Sequence, residues 1–307
     1  MSLRTSRLGA ITFGVAALVG TMAAASATLH TWAAAPAPAP SRPAPRAPLS
    51  PQPTAPMADV RAERPLSGKV IGIDPGHNGG NAANPGIINA LIWNGRAQET
   101  CDTTGTSTDG GYTEAQFNFS VAQYLRADLI RDGARVVLTR TSNTGVGPCV
   151  DRRAEIIDKA HADVAVDIHA DGGPANGRGF TVIEPLPAGR NDAVIGASDR
   201  FGSLLRAAML SGTPMPESNY YGADGTIARD DLAGLNLTTV PKVLIECGNM
   251  RNWTDASLLT SARFQQAVAR AMEQAILRFL PAALGVPAAL GAEGGAVTGD
   301  DHGRERQ

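Results

Sequence analysis

No two cysteines in this 307-residue chain stand at Cys-x-x-Cys spacing, which argues against a metal site built on thiolates. There is no run of lysine and arginine, and the formal net charge is only −2. A surface that neutralises a phosphate backbone needs clustered positive charge, so nucleic acid is not an expected partner. Beyond the N-terminal region no apolar run is long enough to cross a bilayer, and no internal repeat is found. What is there is the composition of a soluble globular body, 43% hydrophobic and 18% charged. Its length suits one large domain or two small ones.

The N-terminus reads differently. Arg4 and Arg7 precede an apolar, small-residue stretch from Leu8 to about Ala25, followed by Ala25-Ser26-Ala27 and, further on, Ala33-Ala34-Ala35. These are the marks of a signal peptide over residues 1–35, and its small-residue end favours cleavage. No stable membrane association is expected after cleavage; an uncleaved anchor is the alternative. Both readings put the body outside the cytoplasm, exported to the periplasm, cell wall or extracellular space. Residues 36–65 are rich in proline and alanine and read as an extended linker. Residues 281–307, Ala/Gly-rich and then charged, read as a disordered tail. Export permits disulfides. Cys101 and Cys149 lie in Gly/Thr-rich loop sequence, which suits a bridge between loops, whereas Cys247 follows Val243-Leu244-Ile245 and is expected to be free and buried.

Between the ends, strand and helix patterns alternate. Strands are expected at 69–74 (KVIGID), 135–139 (RVVLT), 164–169 (VAVDIH), 179–184 (GFTVIE) and 242–246 (KVLIE). Helices are expected at 114–131, ended by Gly133, then at 151–160 and 198–210, with one long closing helix at 255–279. The pattern predicts a single α/β domain over 66–280, with a mostly parallel twisted sheet flanked by helices on both faces. The Asn/Gly/Thr-rich stretch at 79–112 is long for a connection, and such stretches are usually functional or disordered.

Polar residues gather where these strands end, the edge at which open α/β sheets bind ligands. His77 follows the first strand, His169 and Asp171 close the third, Glu246 closes the last, and Glu114 opens a helix behind the Thr-x-x-Gln pattern of Thr113 and Gln116. Two imidazoles and a carboxylate from separate elements form a known catalytic zinc set. Each residue also has a plainer reading. A histidine after a strand is commonly a hydrogen-bonded loop residue, and Glu114 could merely complement the helix dipole. Glu246 could be a satisfied structural carboxylate, although closing an apolar strand with one carries a desolvation penalty. Cys247 has no base tied to it and reads as a spectator thiol.

Taken in order, several segments resemble the zinc-dependent N-acetylmuramoyl-L-alanine amidases of the type called amidase 3, in particular the compact cell-wall amidases of mycobacteria and other actinobacteria. They are IDPGHNGG (73–80), EAQFNFSVAQYL (114–125), VLTR (137–140) with DRR (151–153), DIHAD (167–171) and DLAGLNLTTVPKVLIECGNMRN (231–252). The resemblance implies Zn²⁺ held by His77, Glu114 and His169, with Asn118 as the motif partner of Glu114 and Glu246 as the catalytic general base. It further implies hydrolysis of the amide between N-acetylmuramic acid and L-alanine in peptidoglycan; separately, a monomer is expected. Asp74, Asp167 and Asp171 are the candidates for orienting the imidazoles, and Arg229 and Asp230 for contacting charged groups of the peptide. Two features depart from the pattern: Gly248-Asn249-Met250 follows the Glu where the family often has Gly-Phe, and the 79–112 stretch holds a rival carboxylate, Glu99. The alternatives are another zinc peptidoglycan hydrolase, a carboxypeptidase or a deacetylase, and a non-catalytic cell-wall-binding protein.

Overall fold

The computed structural model of the chain describes residues 64–280. The signal peptide expected at 1–35, nearly all of the linker at 36–65 and the tail at 281–307 lie outside the described residues. Among the described residues no helix is long and apolar enough to cross a membrane.

In chain order the elements are β1 (Val70–Pro75), α1 (Pro85–Ile88), β2 (Leu91–Trp93), β3 (Gln98–Thr100), α2 (Glu114–Arg131), β4 (Arg135–Leu138), α3 (Val150–Lys159), β5 (Val164–Asp171) and β6 (Thr181–Pro185). There follow α4 (Ile195–Gly212), β7 (Thr226–Arg229), α5 (Ala233–Asn236), β8 (Lys242–Asn249), α6 (Trp253–Leu259) and α7 (Ala262–Phe279). Six strands form one sheet in the order β4-β1-β5-β8-β6-β7. The pairs from β4 to β8 are parallel, β6 runs antiparallel to β8, and β7 is parallel to β6. The expected mostly parallel sheet is therefore present, with its last two strands reversed. β2 and β3 make a separate antiparallel hairpin.

The two faces of the sheet differ, and the period of two along each strand decides how. Ile71 and Ile73 of β1, Val164, Val166 and Ile168 of β5, and Val243, Ile245 and Cys247 of β8 all join the large core beneath α2, α4 and α7. Phe117, Val121, Leu125 and Leu129, one stripe of α2, are completely buried there. Each such side chain contributes roughly 1.5–3 kcal/mol. The alternate positions, Asp74, Asp167, His169, Lys242 and Glu246, face the other way, toward α3, α5 and the 79–112 segment. That second face is where charge collects.

One expectation needs correction. The closing helix expected at 255–279 is two helices, α6 and α7, interrupted at Thr260 and Ser261. Thr260 turns its hydroxyl onto the carbonyls of Ala256 and Ser257, and Ser261 takes an extended ψ of 124°. Hydroxyl residues that satisfy backbone groups locally compete with helix continuation.

Candidate metal and catalytic site

The site is assembled on three elements and a turn. After β1 the chain bends at Gly76, whose N–H donates to the Ile168 carbonyl at 3.0 Å. The Gly76 carbonyl accepts from Asn118 Nδ2 at 3.1 Å and from Arg140 Nη2 at 3.3 Å. Glycine is required by crowding: a Cβ there would lie 2.2 Å from the His169 ring. The next residue, His77, sits at φ 57°, a sparsely populated conformation for a residue with a side chain. It aims Nε2 at Glu114 Oε1, 3.1 Å away, and Nδ1 at Asp102 Oδ1, 3.0 Å away.

Glu114 is the first residue of α2. Thr113 caps that helix, its hydroxyl accepting from the Gln116 N–H, so the Thr-x-x-Gln pattern marks the true start. Thr106 grips Glu114 twice: its carbonyl accepts from the Glu114 N–H, and its own N–H donates to Glu114 Oε2 at 2.9 Å. Oε1 is left facing both imidazoles, 2.8 Å from His169 Nδ1. His169 lies on β5 directly opposite Glu246 on β8, just before the register shifts between the strands. Such irregularities re-aim side chains beside functional sites. The donor atoms of His77, Glu114 and His169 all lie within 4.8 Å of one another, and the two rings meet edge to face.

Charge and burial act strongly here. Burial alone would raise the Glu114 carboxyl, yet the charge on His77 and hydrogen bonds from both imidazoles hold it well below the usual carboxylate range. Burial would lower His77, but Glu114 and Asp102 push it up to about 9. Glu246 is pushed up to about 8 by burial, opposed by His169 and reinforced by Glu114 and Asp171. Its Oε2 is buried with no hydrogen-bond partner. An anionic carboxylate flanked by two imidazoles, with a second, unpartnered carboxyl beside them, fits a divalent cation of zinc type.

The other sequence candidates divide. Asp167 faces His169, with Oδ1 3.3 Å from Nε2. Asp74 instead accepts from Thr139, Arg153 and Lys242, and Asp171 accepts from the Tyr220 hydroxyl at 2.8 Å; neither orients an imidazole. Glu99 turns to Asn94 and the Ala233 N–H and is not among the converging donors. Arg229 lines the cleft with Glu246, but its Nε and Nη2 donate to Asp231 and its Nη1 to the Tyr221 hydroxyl. Asp230 pairs with Arg96 of the hairpin loop at 3.1 Å. Cys101 and Cys149 are bridged and Cys247 is free and buried, as expected. Three residues escaped sequence reasoning. Asp102 stands behind His77, Thr106 holds Glu114, and Gly105, at φ 68°, is where a Cβ would meet both His77 and Glu114. The adjacency of Asp102 to a bridging cysteine was the one available signal.

The donors open on a cleft of ≈ 440 Å³ walled by the 103–106 segment, Asp171, Gly172, Ile183, Arg229, Leu232 and Leu244. A smaller chamber of ≈ 180 Å³ adjoins it past the two histidines, toward Glu99, Val150 and Gly234.

A family model described as N-acetylmuramoyl-L-alanine amidase (Amidase_3) matches residues 71–278. The chain is 41% identical over 216 residues to N-acetylmuramoyl-L-alanine amidase Rv3717 of Mycobacterium tuberculosis, covering 70% of this chain and 88% of that protein. Among solved structures it is similar to the N-acetylmuramyl-L-alanine amidase Ami1 of Mycobacterium abscessus in its apo form, with a TM-score of 0.66 and 40% identity over 70% of this chain and 99% of the other. Ami1 of Mycobacterium smegmatis gives a TM-score of 0.66 and 38% identity over 70% and 97%. Both likenesses cover the α/β body that carries the site, and by them and the family match this chain belongs to the N-acetylmuramoyl-L-alanine amidases, a family of amide-cleaving enzymes.

Proposed function

We propose that this chain is a zinc-dependent peptidoglycan amidase that hydrolyses the amide between the lactyl group of N-acetylmuramic acid and L-alanine. The observation that carries the reading is the convergence of His77, Glu114 and His169 around one point, with Glu246 opposite His169 on the next strand. His77, Glu114 and His169 would hold the ion. Zinc, when bound, supplies Lewis-acid polarisation of a carbonyl and acidification of water. Holding the ion at His77 Nε2 would displace only the proton between Nε2 and Glu114, while Nδ1 keeps its proton toward Asp102.

The chain's own residues supply the proton handling. Glu246, which lines the cleft, would be kept ionised by the positive charge of an ion held beside it; it accepts a proton from the attacking water and returns it to the departing alanine nitrogen, which leaves as a neutral amine. Gly76, Gly105 and Thr106 keep the backbone close around the donors and fix the carboxylate, so little rearrangement is needed as charge develops. The cleft is open to solvent rather than enclosed, which leaves room for a polymeric substrate. Export to the cell wall is part of the proposal: the N-terminal leader pattern and the Cys101–Cys149 bridge, a bond of oxidising compartments, both support it.

Metal content and muropeptide digestion, measured together on the purified chain, test the reading. One zinc per chain and release of intact stem peptides are expected. Glu246→Gln should retain the zinc and lose roughly 10²–10⁴-fold in turnover. Release of D-alanine or acetate instead would transfer the site to a carboxypeptidase or a deacetylase. Zinc absent, or present without any hydrolysis, would end the enzyme reading in this form.

A further inference from the structure

We infer that Asp102, delivered by the long 79–112 segment, is the positioning residue that sets the tautomer and aim of His77 toward the metal. The inference rests on the metal reading above and concerns a residue outside the ligand set.

The geometry is closed on every side. Asp102 is 5% exposed, and each of its oxygens takes two donors. Oδ1 faces His77 Nδ1 at 3.0 Å and accepts from the Thr103 N–H at 2.7 Å. Oδ2 accepts from Asn78 Nδ2 at 2.8 Å and Arg153 Nη2 at 3.3 Å. A carboxylate so held cannot rotate to follow the ring; the ring must follow it. With the proton of His77 on Nδ1, Nε2 carries the free lone pair, and Nε2 is the atom that faces Glu114. A carboxylate behind a ligating imidazole fixes its orientation and raises its basicity.

Two competing acceptors stand near Nδ1, the Thr103 carbonyl at 3.2 Å and the Thr103 hydroxyl at 3.3 Å. Both are longer and uncharged, and a charged acceptor makes the stronger bond. The segment is anchored for the task. Cys101, next to Asp102, is bridged to Cys149, and the Cys101 carbonyl accepts from the Val150 N–H at the start of α3. Arg153, one turn into that helix, spans Asp102, Asn78 and the His77 carbonyl. The 79–112 segment thus contributes the outer support of the first ligand rather than only covering the cleft.

The test is zinc affinity, measured by competition with a chromophoric chelator, with cobalt substitution as a spectroscopic companion. The variants are Asp102→Ala, the isosteric Asp102→Asn in case the alanine form does not fold, and Thr139→Val. Thr139 bonds Asp74 in the adjoining network and touches no imidazole, so it controls for stability loss alone. Expected is a ~10–100-fold weaker zinc Kd for Asp102→Ala, an altered cobalt visible spectrum in both Asp102 variants, and an unchanged Kd for Thr139→Val. A Kd for the Asp102 variants within two-fold of the parent, or an equal loss in Thr139→Val, overturns the inference. Failure of the parent itself to bind zinc would instead strike the proposed function.

Discussion

Gly76 shows how a single missing atom makes room for the site. Its α-carbon passes so close to His169 that a methyl would lie 2.2 Å from the ring, and both of its peptide groups are tied to neighbours that cannot yield. The Gly76 N–H is bonded to β5 and its carbonyl to Asn118 and Arg140, so the strain of an added Cβ must move His169. Gly76→Ala is therefore expected to weaken zinc binding by at least an order of magnitude while the apolar core beneath α2 and α7 still folds. Zinc titration beside far-ultraviolet circular dichroism of the variant checks this. An alanine form with parental zinc affinity would mean that His169 is not held where the geometry puts it.

At the scale of elements, the N-terminus of α2 joins stability to chemistry. Thr113 caps the helix, and the residue it starts is Glu114. Removing a cap costs about 1 kcal/mol and frays the first turn, which here carries a donor. Thr113→Ala should lower the melting temperature and weaken zinc binding together. Asn252 caps α6 with bonds to the Thr254 and Asp255 N–H groups, far along the chain from any donor. Asn252→Ala should lower stability by a similar amount and leave zinc affinity alone. Equal effects on affinity from both variants would show that the metal site responds to global stability rather than to its own helix end. The two caps also mark what the sequence made legible. α2 could be read to the residue because a capping pattern opens it, an apolar stripe runs through it and Gly133 closes it. His77, His169 and Glu246 were legible as strand ends, since a polar residue after an apolar run needs a reason. Elements without such punctuation were misread or missed. The break between α6 and α7 has no glycine or proline to announce it. β7 is four residues of edge strand among loop residues. Asp102 belongs to no periodic pattern, and its place behind His77 is created by tertiary folding and the bridge at Cys101.

For the whole molecule, the second face of the sheet works as a buried ionic layer linking elements distant in sequence. Lys242 of β8 bonds Asp74 of β1 at 2.7 Å and stands 3.4 Å from Asp167 of β5. Arg153 of α3 bonds Asp74 at 3.0 Å and reaches Asp102 at 3.3 Å. Burial alone would raise the Asp74 carboxyl, but Lys242 and Arg153 together hold it far below the usual range. Its folded pKa is thus depressed relative to an unfolded value of about 3.9. The stability it contributes is fully present above that unfolded value and is lost as pH falls through the folded one. Thermal melts should therefore show little contribution from Asp74 to pH dependence between neutrality and about pH 5, then a steep loss in stronger acid. Asp74→Asn leaves two buried cations short of a partner, so its neutral-pH stability should fall by about 3–5 kcal/mol. Its acid limb should also be shallower, because the group whose protonation drives part of the loss is gone. Melting curves of the parent and Asp74→Asn from pH 3 to 8 compare the two slopes directly. Parallel acid limbs would show that the layer is not what acid dismantles, and that the sheet is held from its apolar side alone.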